Sequence, residues 1–82
     1  MTKQELIDKG YDDTVVFENP DFDGCIIGVT TDRIAVYSLK KMAEWYSKWG
    51  ECSIQEAIEF IEYNTIRSLP YVENAPIILD DL

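Results

Sequence analysis

Three short strand-like segments precede Ser38 in this 82-residue chain, and two longer helix-like segments follow it. The strand-like segments are rich in β-branched and aromatic residues and are bounded by turn-forming residues. They cover residues 14–18, 25–30 and 33–38. Strands grouped before helices predict an α+β fold, here with a small antiparallel meander that turns at Thr31-Asp32. The segment 75–79 is expected to add a further strand, giving a sheet of three to four strands.

Two amphipathic helices are predicted to pack on this sheet. Ser38 is a suitable N-cap for the first helix, which should end at Gly50 and place Trp45 at the edge of its apolar face. A capping box at residues 53–56 opens the second helix, which should run to about Ser68 because a proline follows two residues later. The predicted core residues of the helices are Leu39, Met42, Ala43, Tyr46, Trp49, Ile54, Ala57, Ile58, Ile61, Thr65 and Leu69.

A short helix is also predicted near the N-terminus. Thr2 and Glu5 form a capping box, and Gly10 stands where helices commonly end. This helix would present Leu6 and Ile7 to the core.

The 82 residues suffice for one core, so residues 1–82 are predicted to form a single α+β domain. The net charge is −9, and without histidine it hardly changes between pH 5 and 8. Charge is segregated: residues 1–32 carry eight acids and two bases, residues 33–50 four bases and one acid, and residues 51–82 seven acids and one base. A strongly negative surface bears on partners rather than on fold.

Several kinds of catalytic site are excluded by composition. Without histidine there is no Ser-His or Cys-His pair, no His-containing zinc site and no imidazole base. Cys25 and Cys52 are too far apart in sequence to form a metal-binding knuckle, and no Gly-rich phosphate loop is present. A pair of carboxylates remains open, although acids are abundant everywhere. The sequence therefore predicts a non-enzymatic protein without a cofactor.

One segment resembles the opening of a calcium-binding loop. Asn19, Asp21 and Asp23 stand at its first, third and fifth positions, with a glycine at the sixth. The bidentate glutamate expected at the twelfth position is Thr30, and strands rather than helices are predicted to flank the loop. Two interpretations remain: an Asp-rich turn with side chain to backbone hydrogen bonds, which is favoured, and a weak cation site on the three residues.

Three lysines lie on one face of the first long helix, near Trp45 and Trp49. They are Lys40, Lys41 and Lys48. Cations beside aromatic rings suit single-stranded nucleic acid. Three lysines release few counterions, however, and the acidic remainder of the chain repels phosphates. We therefore expect no direct contact with nucleic acid, and we expect these lysines to attract the acidic segments of the same chain.

The arc of the second long helix opposite its core stripe is a candidate interaction surface. It holds Glu59, Glu62, Tyr63 and Ile66. Neighbouring apolar residues rimmed by charge can mark an interface. The alternative is that the tail 77–79 or the N-terminal helix covers the two apolar residues. Trp45 is a further candidate, and Asn64 is expected to bond to the backbone.

Compartment is predicted from weaker signals. The chain has two cysteines, no secretory signal pattern and no apolar segment long enough to cross a bilayer. These features predict a cytoplasmic protein with two free thiols and no contact with membrane.

Three blocks resemble a group of small uncharacterised proteins of bacteria and their phages. They are VVFENPDFD at 15–23, CIIGVT at 25–30 and EAIEFIEYNTIRSLPY at 56–71, and the resemblance extends over about residues 11–78. It implies an intracellular bacterial or phage setting and assigns no catalytic residue. Within that setting, small acidic inhibitors of the anti-CRISPR or anti-restriction type become a candidate class.

The leading functional hypothesis is an acidic interaction protein that docks on a basic surface of another protein. A cation-responsive module at the Asp-rich turn is the second hypothesis. A homodimer formed through Trp45, Trp49 or the Tyr63 and Ile66 surface is the third.

Overall fold

A computed structural model describes residues 1–18 and 20–82 of the chain. Helix α1 spans Lys3–Asp8, strands β1 and β2 span Ile26–Val29 and Ala35–Ser38, and helices α2 and α3 span Leu39–Trp49 and Ile54–Phe60. The helical path continues as a π-helix over Ile61–Thr65 and a 3₁₀ helix over Ile66–Tyr71, and strand β3 follows at Ile77–Leu79. The predicted α+β class is confirmed.

The described residues form one three-stranded sheet in the order β1-β2-β3. β1 and β2 are antiparallel, whereas β2 and β3 are parallel with Tyr37 opposite Ile78. The prediction of a purely antiparallel meander is wrong because residues 39–76 form a crossover, which returns the chain to the end of the sheet where β2 begins. Strand β3 lies within the predicted segment 75–79, and Pro76 directly precedes its first residue.

Residues 15–18 pack beside the sheet without joining it. Val16 and Phe17 are half-buried against the core, and the Phe17 N–H donates to the Tyr37 hydroxyl over 3.1 Å. The predicted strand at 14–18 is therefore wrong, and the described sheet has three strands and not four. β-branched and aromatic residues suit any half-buried extended segment, so they do not by themselves predict a paired strand.

The turn between β1 and β2 ties the hairpin to the segment that follows α1. The observed turn includes Arg33, with a φ of +66°, in addition to the predicted residues Thr31 and Asp32. A non-glycine residue is uncommon in this left-handed region. The Arg33 guanidinium forms an ion pair with Asp13 and donates to the Gly10 carbonyl oxygen over 2.8 Å. It also lies 5.0 Å from the centre of the Tyr11 ring, so three contacts hold the residue in place.

Helix α1 begins and ends as predicted. The Thr2 hydroxyl accepts from the Glu5 N–H over 3.2 Å, and the Glu5 carboxylate accepts from the Thr2 N–H over 3.3 Å. Gly10 adopts a φ of +87°, and the next N–H donates to the Leu6 carbonyl oxygen over 2.9 Å, which closes a Schellman motif. Leu6 is buried, but Ile7 is 54% exposed, so only one of the two predicted side chains reaches the core.

Helix α2 also has the predicted bounds, from its N-cap Ser38 to Gly50. Its buried residues are Leu39, Met42 and Ala43. Trp49 is 60% exposed, so its assignment to the core is wrong. It lies in the last turn and packs on the ring of Trp45, with ring centres 5.7 Å apart.

The residues after β3 bind the N-terminus of α2. The Asp81 carboxylate accepts from the Ser38 hydroxyl and, over 2.9 Å, from the Lys40 N–H. The Ser38 hydroxyl also accepts from the Lys41 N–H over 3.1 Å. The bonds from Ser38 and Lys40 lower the pKa of Asp81. A carboxylate is favourable at a helix N-terminus, so this contact stabilises β3 beside β2 and α2.

Residues 54–71, which we call the long helical segment, change hydrogen-bonding pattern twice. They begin as predicted with a capping box at Ser53. The Ile66 N–H donates to the Ile61 carbonyl oxygen, five residues earlier, as in a π-helix. The 3₁₀ part includes Pro70, so the predicted end before this proline is wrong. Proline has no backbone N–H, so residue 70 donates no helical hydrogen bond in this part of the segment.

Much of the predicted core stripe in this segment is confirmed. Ala57 and Ile61 are fully buried and Thr65 is 8% exposed. Ile54 is 44% exposed because it belongs to the first turn, whose residues 53–56 all lie at the surface. The packed face of the segment therefore begins one turn later than predicted.

Candidate functional site

Exposed carboxylates follow one another along the long helical segment, and none of residues 51–66 is basic. Tyr63 lies among them and is 68% exposed. We call the exposed residues Glu56, Glu59, Glu62 and Tyr63 the acidic face. The next base along the chain, Arg67, places its guanidinium 5.1 Å from the centre of the Tyr63 ring. One cation therefore borders the acidic face beside Tyr63.

The structure brings together three of the five predicted interaction residues. These are Glu59, Glu62 and Tyr63, and all three are exposed. Ile66 is half-buried and packs against the core. Trp45 lies on α2, also half-buried, with its ring centre 5.2 Å from that of Phe22. Ile66 and Trp45 therefore contribute to packing, and the exposed candidates lie on one helical segment.

The π-helical turn explains why Ile66 departs from its predicted orientation. A π-helix takes one more residue per hydrogen-bonded turn than an α-helix, so the residues after it are rotated relative to an α-helical projection. The turn covers Ile61–Thr65, directly before Ile66. Turns of this kind recur at functional sites in proteins. The surface around Ile61–Thr65 is therefore a candidate functional site.

A cleft of about 150 Å³ opens between the π-helical turn and the extended segment before β1. Three phenylalanine side chains line it, from Phe17, Phe22 and Phe60. Its polar lining includes Glu18, Asn64 and Ser68. We call this site the aromatic cleft.

Each phenylalanine of the cleft is fixed by another aromatic side chain. The distances between ring centres are 4.6 Å for Phe17 and Tyr37, 5.2 Å for Phe22 and Trp45, and 4.2 Å for Phe60 and Tyr46. Phe22 is fully buried and has a φ of +47°. Such a conformation persists only where the surrounding structure enforces it. The cleft is therefore built on a rigid aromatic base.

Hydrogen bonds orient the polar side chains of the cleft. The Asn64 amide nitrogen donates to the Phe60 carbonyl oxygen over 3.2 Å, which confirms the predicted backbone bond. The Ser68 hydroxyl donates to the Thr65 carbonyl oxygen over 2.8 Å. Ser68 uses its one donor and Asn64 one of its two, so the Asn64 Oδ1 and the lone pairs of Ser68 Oγ can accept, and Asn64 keeps a second N–H.

The carboxylates of the Asp-rich turn bond to the backbone. Asp21 accepts from the Asp23 N–H over 3.2 Å, and Asp23 accepts from the Lys3 N–H over 2.8 Å at the start of α1. Gly24 follows with a φ of +88°. The Asp21 bond, to a backbone N–H two residues later, is the kind that the turn interpretation predicts, whereas the Asp23 bond joins the turn to α1. Asn19, the third residue of the predicted cation site, lies outside the described residues, within which no three Asp, Glu or Cys residues are grouped closely enough to hold a metal ion.

Both cysteines are free, as predicted. Burial raises the pKa of the Cys25 thiol to about 11, so it is protonated and unreactive near neutral pH. Burial likewise raises the pKa of the Tyr37 phenol to about 12, against the smaller effect of the bond from the Phe17 N–H. Neither group can act as a nucleophile near neutral pH.

The aromatic cleft is the feature that the sequence did not predict. The described residues of its walls come from two separate parts of the chain, at positions 17, 18, 20 and 22 and at 60, 64, 65 and 68, and no spacing pattern connects them. The Asp-rich turn marks one wall, but its motif indicates a cation site and not a cleft. The π-helical turn at the other wall has no signature in the residue types.

Among the described residues, no helix is long and apolar enough to cross a membrane. Comparisons with models of known families, with curated proteins and with solved structures found no match. The resemblance to small bacterial and phage proteins stays a prediction.

Proposed function

We propose that this chain is a non-enzymatic binding protein that docks its acidic face on a basic surface of another protein. The observation that supports the proposal is a 68% exposed Tyr63 among exposed carboxylates, in a stretch, 51–66, without a base. Complementary charge accelerates encounter and orients the partners. A tyrosine supplies contact area and a hydroxyl, and it is enriched at the centre of interfaces.

Basic protein surfaces often bind nucleic acid, which suggests the class of partner. A chain with a net charge of −9 can compete with phosphates for such a surface. We therefore propose an inhibitor of the anti-CRISPR or anti-restriction type, in keeping with the resemblance to bacterial and phage proteins. Two free thiols suit a cytoplasmic location for this activity.

The test compares two double variants as bait for basic proteins in a bacterial extract. Glu59→Gln with Glu62→Gln alters the acidic face, and Asp12→Asn with Asp32→Asn alters exposed acids outside the long helical segment. Both double variants remove two negative charges and change the net charge from −9 to −7, so they differ in where the charge is removed. We expect capture to fall with the first double variant and to stay near the wild-type yield with the second.

Salt and DNA provide the accompanying controls. Capture should decline from about 0.01 M to about 1 M salt, over which the Debye length falls from about 30 Å to about 3 Å. Equal capture by the two double variants, or a yield independent of salt, would contradict docking through the acidic face. Added double-stranded DNA should release the captured protein, and retention in its presence would remove the inhibitor assignment while leaving the docking.

A further inference from the structure

We propose that the aromatic cleft binds a lysine or arginine side chain presented by the basic surface of the partner. The partner is that of the proposed function, on which this inference rests. The cleft belongs to the isolated chain, however, and can be tested without a partner. It would supply a specific anchor beside the less directional attraction of the acidic face.

The ring surfaces of the cleft suit a cation. Phe17 and Phe60 are half-buried at its walls, while Phe22 is fully buried behind them. A cation within about 6 Å of a ring centre is attracted to the negative face of the π system. Because each ring already packs on another aromatic side chain, binding does not require them to be ordered first.

The polar groups of the cleft suit a ligand that only donates. Glu18 is exposed at the rim and brings a negative charge. Ser68 has used its one donor on a backbone carbonyl and Asn64 one of its two, and the oxygen atoms of both offer acceptors to the cleft. None of the described residues that line it is basic. An ammonium or guanidinium group has donors and no acceptor, so it complements this lining, whereas an anion does not.

The volume of the cleft limits the ligand to the size of one side chain. Its 150 Å³ matches a protein cavity known to hold benzene, a ligand of about six heavy atoms. A lysine side chain has about five heavy atoms from Cβ to Nζ. A nucleotide or a peptide would not fit, but one side chain can enter while its backbone stays outside.

The experiment titrates the isotope-labelled chain with single amino-acid derivatives and follows chemical shifts by NMR. The probes are N-acetyl-lysine amide, N-acetyl-arginine amide and the neutral N-acetyl-norleucine amide. We expect the two cationic probes to cause saturable shifts at the Asn64 side-chain amide and at the backbone N–H groups of Phe60 and Ser68. Norleucine should bind about two- to fivefold more weakly, the range that an exposed cation–π contact supplies.

Two variants with the same change of charge locate the site. Glu18→Gln should weaken the cationic probes by up to about fivefold, as expected for an exposed ion pair. Glu59→Gln, on the acidic face, should leave their affinity unchanged. The proposal is overturned by shifts that do not saturate, by norleucine binding as tightly as lysine, or by equal effects of the two variants.

The outcome is separable from that of the proposed function. If the probes do not bind but capture stays sensitive to salt and still depends on Glu59 and Glu62, the cleft proposal is overturned and the docking surface stands. Probe binding without such capture leaves the cleft as a cation site and overturns the docking surface.

Discussion

Helix α2 and the long helical segment pack against each other but are held in different ways. α2 is one α-helix whose N-terminus is bound by Ser38 and Asp81 and whose C-terminus ends at Gly50. The long helical segment has a capping box only at Ser53, and it then passes into π and 3₁₀ geometry. The first helix is regular from end to end, and the second becomes irregular beyond its second turn.

The regular helix contributes mainly to the core, whereas the irregular segment carries the candidate binding surfaces. The buried side chains of α2 fill the core. The acidic face and the aromatic cleft both border the π-helical turn at Ile61–Thr65. Natural proteins often depart from regular geometry where a site requires it. Four experiments test whether this contrast is real.

Truncating a buried side chain in either helix should produce the largest loss of stability. Met42→Ala in α2 and Ile61→Ala in the π-helical turn each remove a side chain with 0% exposure. Each should lower the free energy of unfolding by about 2–5 kcal/mol. Trp49→Ala, at a position 60% exposed, should cost much less. Urea denaturation measures all three, and a loss for Ile61→Ala no larger than for Trp49→Ala would contradict tight packing of the π-helical turn.

Removing the two serine caps should have the next largest effect. Ser38→Ala and Ser53→Ala each remove an N-cap, a change that costs about 0.5–2 kcal/mol. We expect the larger loss for Ser38, because it is 1% exposed and also donates to Asp81. Equal losses in thermal or urea unfolding would mean that Asp81 adds nothing to the anchoring of α2.

Alkaline pH should weaken the sheet side of the molecule. The pKa of Cys25 rises from 9.0 to about 11 and that of Tyr37 from 10.0 to about 12, so both groups ionise first in the unfolded chain. The stability that the two protonated groups contribute is fully present below about pH 9. It is lost as the pH rises through the pKa values of the folded chain, about 11 for Cys25 and about 12 for Tyr37. The free energy of unfolding, measured in urea at successive pH values, should therefore fall above pH 9. Cys25→Ala should make the decline shallower, and an unchanged slope would show that Cys25 is not protected.

Shortening the π-helical turn should have the smallest effect on stability. Asn64 is exposed, and its side chain donates to the Phe60 carbonyl oxygen. Deleting it allows the turn to adopt α-helical hydrogen bonds, so we expect no fall in the free energy of unfolding. Binding of the lysine and arginine probes should be lost because one wall of the cleft moves. Asn64→Ala keeps the turn and removes only the Asn64 acceptor, so it should weaken the probes less than the deletion does. A deletion variant that binds like wild type would separate the π-helical turn from the cleft.

The starts of the three helices, and the ends of α1 and α2, could be predicted because their signals are local. Thr2, Ser38 and Ser53 each accept from a backbone N–H three residues later, so a few neighbouring residues decide each start. Gly10 ends α1 for an equally local reason, since its φ is positive. The α+β class followed from the grouping of strand-like segments before helix-like segments.

Features that join distant segments could not be predicted. The parallel pairing of β3 depends on the path of residues 39–76, which no short pattern specifies. Helical periodicity placed Trp49 on the core face, but it does not state how far the neighbouring elements extend. Three residues of the acidic face, Glu59, Glu62 and Tyr63, were predicted because they are close in sequence. The aromatic cleft was missed because Phe17 and Phe60 are not.

The contact between Ser38 and Asp81 spans 43 residues, and this separation has a consequence for synthesis. At roughly 5–20 residues per second, roughly 2–9 seconds pass between the addition of Ser38 and that of Asp81 on the ribosome. During this interval β2 has β1 on one side and an open edge on the other. An open edge is a template for pairing with other chains. Until β3 is synthesised and pairs with β2, the open edge of the nascent hairpin is therefore a site where other nascent chains can pair.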